Sequence, residues 1–242
     1  MLIDVHTHLT YDSFDKDREE VIKRSKCSVM INNGLNVEDN RATLKLAKKY
    51  KEVKVALGLY PSKIVEMKVD DIKNEIEFIS KQDIVGVGEI GMDGTYPNIE
   101  KQEKWFRELV KMAMKNDVPV IVHSRKAEKL VIDILEEMKV KKVVLHMFSG
   151  KLKLVERAEK LGFYFSIPVI LGHSRHFQEL VKKVSITKLL TETDAPYLGP
   201  VKGERNEPMN VKFTVEKIAE LKGMDKKEVE NSVYMNYQRL FS

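Results

Sequence analysis

The chain has 242 residues, 43% hydrophobic and 33% charged, with a formal net charge of +5 and material enough for a sizeable core. Its one cysteine, Cys27, excludes an internal disulfide framework and fits a reducing compartment, and no apolar stretch approaches the roughly 18 residues that a membrane helix needs. Asp4 interrupts the short apolar start, so no signal peptide is expected and a cytoplasmic protein follows; the positive balance permits a phosphate-bearing partner without requiring one.

The first predicted element is the strand LIDVH, followed at once by Thr7 and His8. Alternation along a strand puts Asp4, His6 and His8 on one face. Two neighbouring imidazoles suit a divalent ion such as zinc; a solvent-facing pair near a terminus is the competing reading at this point. Further β-branched runs follow as SVMIN, VKVALGL, IVGVGEI, PVIVHS, KVVLHMF, FYFSI and KLLTET. Cys27 opens the apolar run CSVMI, which marks it as a buried thiol rather than a nucleophile. Helical patterns lie between the runs. In IEKQEKWFRELVKMAMKND, Trp105, Leu109, Met112 and Ala113 recur at the helical period, and Val229, Val233, Tyr237 and Leu240 mark a closing helix over 227–241. Most of the strands are apolar throughout, as expected when both faces are covered. Strands alternating with helices imply parallel βαβ units, and eight of them in this length predict a (β/α)8 TIM-like barrel. A doubly wound open sheet is the alternative, but a glycine-rich turn would then follow the first strand, where this chain has HTHLT. No linker or shift of composition divides the chain, so residues 1–242 read as a single domain.

Barrel enzymes carry their sites at the C-terminal ends of the strands. There this sequence places His6 and His8 (first run), Glu89 (fourth), His123 (fifth), His146 (sixth) and Asp194 (eighth). Polar groups behind apolar strands are expensive to bury unless paired or coordinated. Four histidines and two carboxylates can hold two divalent ions, with Glu89 as the expected bridge because it falls between strands 1 and 8 on one side and 5 and 6 on the other. The mixed donor set favours zinc or manganese over magnesium. Such a pair, about 3.5–4 Å apart, activates a water and polarises a phosphoryl oxygen. Asp194 is the expected catalytic base, and Glu192, of the same strand parity, the expected support of a ligand. Arg125, Arg205 and Asn206 are the expected substrate-binding residues, since arginine forks onto phosphate; the alternative is an ion pair beside the ligands for Arg125 and a loop-stapling hydrogen bond for Arg205. Tyr60 and Tyr197 could stack on a base, or Tyr197 could pack the barrel mouth. His173 and His176 read as solvent-facing.

The segments DVHTHL, GEIGMD, VPVIVHSRKA, LHMFSG, LLTETDAPYLGP, GERNEPMNV and NYQRLF, in that order, resemble the successive motifs of the TatD family of metal-dependent hydrolases, within the wider amidohydrolase-type barrels. The resemblance covers nearly the whole chain. It implies a TIM-like barrel, divalent metal ions and deoxyribonuclease activity, with DNA as substrate, and its metal positions carry over to His6, His8, Glu89, His123, His146 and Asp194. Three departures stand out: Met92 replaces a usual leucine, Tyr60 in GLYP stands where the family often has histidine, and SIPVILGHSRHF departs from the usual pattern. The expected function is a two-metal phosphodiester hydrolase, a deoxyribonuclease of exonuclease or single-strand type. A small-molecule amidohydrolase or esterase with the same ions is the alternative, although many of those bridge their metals with a carboxylated lysine and no lysine lies in the fourth run. A non-catalytic nucleic-acid-binding barrel is a second alternative, against which all six ligand positions are kept.

Overall fold

Eight strands punctuate the computed structural model, which describes all residues from 1 to 242. They are β1 Leu2–Thr7, β2 Cys27–Asn33, β3 Val53–Leu57, β4 Gly86–Gly91, β5 Val120–His123, β6 Val143–His146, β7 Tyr164–Ile167 and β8 Leu189–Thr191. All eight expected runs form strands, paired in parallel and in sequence order. At the seam the Thr191 hydroxyl donates to the Ile3 carbonyl (2.5 Å) and the Asp194 N–H to the His6 carbonyl (2.9 Å), bringing β8 back to β1. The result is a (β/α)8 barrel.

The helices are α1 Arg18–Ser25, α2 Val37–Ala47, α3 Pro61–Glu66, α4 Val69–Ser80, α5 Ile99–Lys115, α6 Glu128–Glu137, α7 Leu152–Lys160, α8 Arg175–Lys183, α9 Val211–Lys222 and α10 Lys226–Phe241. Two helices, α3 and α4, span the gap between β3 and β4; Pro61 opens the first, where its missing N–H leaves nothing unsatisfied. On α5 the period seen in the sequence buries Trp105, Phe106, Leu109, Val110, Met112 and Ala113. Helices cover the outer face of the sheet, and strand side chains such as Val5, Leu57, Val87, Ile121, Val144 and Phe165 are buried in the main hydrophobic cluster. Both strand faces are therefore dry, which explains the missing polar alternation. Cys27 lies in a smaller cluster with Phe14, Val21 and Met30; burial pushes its thiol well above the usual range, so it is no nucleophile.

The last helix decides which end of the barrel is open. Helix α10 starts with a capping box between Asp225 and Glu228. It then crosses the N-terminal ends of the strands: Glu230 takes the Met1 ammonium (2.7 Å), and the Asn236 amide donates to the carbonyls of Ile186 and Leu189 (2.7 and 2.8 Å). The C-terminal ends stay free for a site. Two strand boundaries differ from expectation. Strand β4 runs on to Gly91, so Glu89 sits inside it, and β8 stops at Thr191, three residues before Asp194. Gly91 adopts φ +146°, and a Cβ there would meet the His123 carbonyl oxygen at 1.9 Å. Only glycine lets β4 approach β5 this closely.

Candidate metal centre

Glu89 is the middle of the cluster at the barrel mouth. Its Oε2 lies 3.3 Å from His6 Nε2 and 3.6 Å from His8 Nε2. Its Oε1 lies 2.9 Å from His123 Nδ1 and 3.9 Å from His146 Nε2. Asp194 Oδ1 joins the first group, 3.3 Å from His8 Nε2 and 3.6 Å from His6 Nε2, and those two nitrogens are 3.2 Å apart. Donors placed about 2.0–2.2 Å from one tetrahedral ion stand roughly 3.4 Å from each other. The first group matches that spacing, and the second brackets it. The residues present fit divalent metal ions.

The far nitrogen of three of the imidazoles is fixed by the chain. His8 Nδ1 lies 2.9 Å from the Asn33 carbonyl, and His146 Nδ1 2.8 Å from Glu192, which also accepts from the Ser166 hydroxyl. His123 Nε2 lies 3.0 Å from Asp93 Oδ2 and 3.3 Å from the Tyr60 hydroxyl. Proton donation outward sets the ring's orientation, and a divalent ion displacing any proton from the inward nitrogen would find a lone pair aimed at it. Asp93 is itself held by the N–H and hydroxyl of Thr95 (2.8 and 2.6 Å). Glu192 thus occupies the supporting place expected of it, while Asn33 and Asp93 are supports that the sequence reading lacks. Asp93 had a signal, its place in GEIGMD; Asn33 had none, because its backbone carbonyl makes the contact. Asp4, on the expected face with His6, is not a ligand. It accepts from the Thr193 hydroxyl and N–H (2.6 and 3.0 Å) and from the His6 N–H (3.2 Å), tying the loop after β8 to β1.

Burial opposes charge on every group here, and the partners decide the outcome. Against burial, His6, His123 and His146 hold Glu89 well below the usual carboxylate range, and a hydrogen bond from His8 lowers Asp194. Hydrogen bonds from His123 and Thr95 keep Asp93 down at about 2 despite burial. Burial depresses His6 to about 4, whereas Glu192 lifts His146 to about 10 against it. Both central carboxylates are therefore anionic in a buried pocket, where a cation is attracted strongly.

A cleft of about 690 Å³ lies over the cluster and is lined by His8, Glu89, His123, His146, Asp194 and the exposed Arg125. The other two expected substrate contacts lie elsewhere. Arg205 forks onto Asp17 (2.7 and 2.6 Å), donates to the Ser13 carbonyl and to Glu207, and stacks 4.7 Å over the Phe14 ring. Asn206 is buried, with its amide on the carbonyls of Thr193 and Tyr197 (both 2.8 Å) and its oxygen accepting from the Glu207 N–H and the Asn210 amide. Neither lines the cleft. The polar groups of both residues are engaged in stapling the loop after β8. His173 is exposed and His176 meets the Phe148 carbonyl at 3.1 Å, both away from the ligands.

The model of the TatD related DNase family matches residues 3–242. The chain belongs to the TatD family. Among TatD-type relatives, an uncharacterized metal-dependent hydrolase of Methanocaldococcus jannaschii is 35% identical over 99% of this chain and 96% of its own length. A deoxyribonuclease of Homo sapiens is 31% identical, covering 99% and 94%. The 3'-5' ssDNA/RNA exonuclease TatD of Shigella flexneri is 27% identical, covering 99% and 98%. The crystal structure of a TatD homologue from Escherichia coli superposes with a TM-score of 0.92 over 99% of this chain and 97% of its own, at 26% identity. The protein is a TatD-family metal-dependent hydrolase, and no helix in it is long and apolar enough to cross a membrane.

Proposed function

We propose that the protein hydrolyses phosphodiester bonds of DNA with two divalent ions, zinc or manganese, bridged by Glu89. The observation that carries this reading is the division of Glu89's two oxygens between two ligand sets, Oε2 toward His6 and His8 and Oε1 toward His123 and His146. A carboxylate serving one ion would not need imidazoles on both sides. Two bound ions supply the positive charge that acidifies an attacking water and neutralises the phosphoryl oxygens. The chain supplies the rest. Asp194 is the more accessible of the two carboxylates, 14% exposed against 4% for Glu89, and it faces the cleft, placed to accept the proton of the attacking water. Arg125 stands exposed at the same cleft and takes a flanking phosphate through its fork. The free, buried Cys27 agrees with a cytoplasmic setting.

The test is an assay of metal-reconstituted protein on single- and double-stranded DNA, RNA, and a panel of small esters, lactones and amides. Metal-dependent release of nucleotides, abolished by chelation, is the expected result. Turnover of an amide or lactone with no action on any nucleic acid would instead assign the barrel to small-molecule amidohydrolases.

A further inference from the structure

Two series of aromatic rings lead outward from the ligand cluster. On one side His8 stands edge-on to Tyr11 (5.7 Å between centroids, 63°), and Tyr11 edge-on to Tyr197 (5.5 Å, 84°). On the other, His123 stands edge-on to Tyr60 (4.9 Å, 62°), and Tyr60 edge-on to Tyr96 (6.5 Å, 84°). The first series begins in the ligand set of His6, His8 and Asp194, the second in that of His123 and His146. All four tyrosines line the one cleft. The inner pair, Tyr11 and Tyr60, is half-buried, whereas the outer rings are open to solvent, Tyr197 by 47% and Tyr96 by 40%. Rings left this exposed add little to the core, and edge-to-face contacts with the inner pair brace them in place.

We infer that the two series end in a pair of nucleobase platforms, one for each side of the bond that is cut, so that the site accepts a strand unpaired on both sides of that bond. The inference rests on the proposed phosphodiester reading. A phosphate held between the two ligand sets sends one nucleoside toward each set, and each nucleoside there meets a ring series. Stacking on an aromatic side chain is worth roughly five- to a hundredfold in affinity per base and is indifferent to sequence, because every base has a π-face. A base still in a duplex brings its partner strand with it and cannot lie flat on a lone ring at the cleft wall. The Tyr60 hydroxyl, 3.3 Å from His123 Nε2, ties the second series to a ligand and fixes its distance from the reacting phosphate.

The experiment compares two single strands of equal length on the metal-reconstituted protein, one of ordinary nucleotides and one built entirely of abasic tetrahydrofuran residues. The parent should favour the base-bearing strand at least about tenfold in kcat/KM, mainly through KM. Tyr96→Leu and Tyr197→Leu should each lower that ratio at least about threefold, and the double variant should bring it close to unity. Partial unfolding or low metal content acts on both substrates alike and leaves the ratio unchanged. A parent ratio near unity, or a ratio that survives both substitutions, overturns the platforms alone. Cleavage of neither strand overturns the phosphodiester reading and the platforms with it.

Discussion

Asp194 shows how one residue's backbone can matter as much as its side chain. It lies beyond the last strand at φ +58°, a left-handed conformation that few residues other than glycine and asparagine or aspartate adopt readily. Its N–H to the His6 carbonyl anchors it there, and its Oδ1 meets the first ligand set. Sequence pattern placed it on the rigid end of β8; in fact a hydrogen bond to β1 does the holding. The six side chains gathered at the barrel mouth were legible because each lies at or just past an apolar run, where an unpaired polar group is costly. Their supports were less so: Asn33 works through a carbonyl, which no side-chain pattern encodes. If Asp194 takes the proton, Asp194→Asn keeps shape and one coordinating oxygen but loses the base. We predict kcat lower by at least about a hundredfold with metal content retained, checked by steady-state kinetics beside elemental analysis. A kcat within about threefold of the parent at equal metal loading would assign the proton to another group.

At the level of elements, strands and long helices followed from periodicity, and the loop after β8 did not. An arginine in such a loop can reach many partners, and Arg205 found Asp17, distant in sequence by 188 residues. That pairing depends on how α1 and the loop meet, which is a property of the assembled barrel. The Arg205 fork holds the Asp17 carboxyl well below its usual range. A carboxylate depressed by folding stabilises the native state above its unfolded value, near 3.9, and the contribution is lost as pH falls through the lower folded value. We therefore predict that Arg205→Ala lowers Tm by roughly 2–4 °C at neutral pH, that this difference narrows in scanning calorimetry below about pH 4, and that kcat/KM on DNA stays within about threefold. A tenfold rise in KM with Tm unchanged would return Arg205 to the substrate site.

Over the whole molecule, the barrel was readable because eight apolar runs alternating with amphipathic segments leave few other architectures that cover both faces of every strand. What the sequence left open was the cleft. Its walls are tyrosines from four separate loops, and only closure of β8 onto β1 brings Tyr11 beside Tyr197. The same closure brings His6 and His8 to Asp194 and so completes the group of side chains on one side of Glu89. In the proposed reaction that carboxylate serves two ions at once. Anomalous diffraction from crystals of zinc- or manganese-loaded protein, recorded on either side of the metal edge, tests it most directly. Two peaks about 3.5–4 Å apart are expected, one bound to each oxygen of Glu89, with His6 and His8 on the first and His123 and His146 on the second. A single fully occupied peak, or a second peak that Glu89 does not touch, would contradict it.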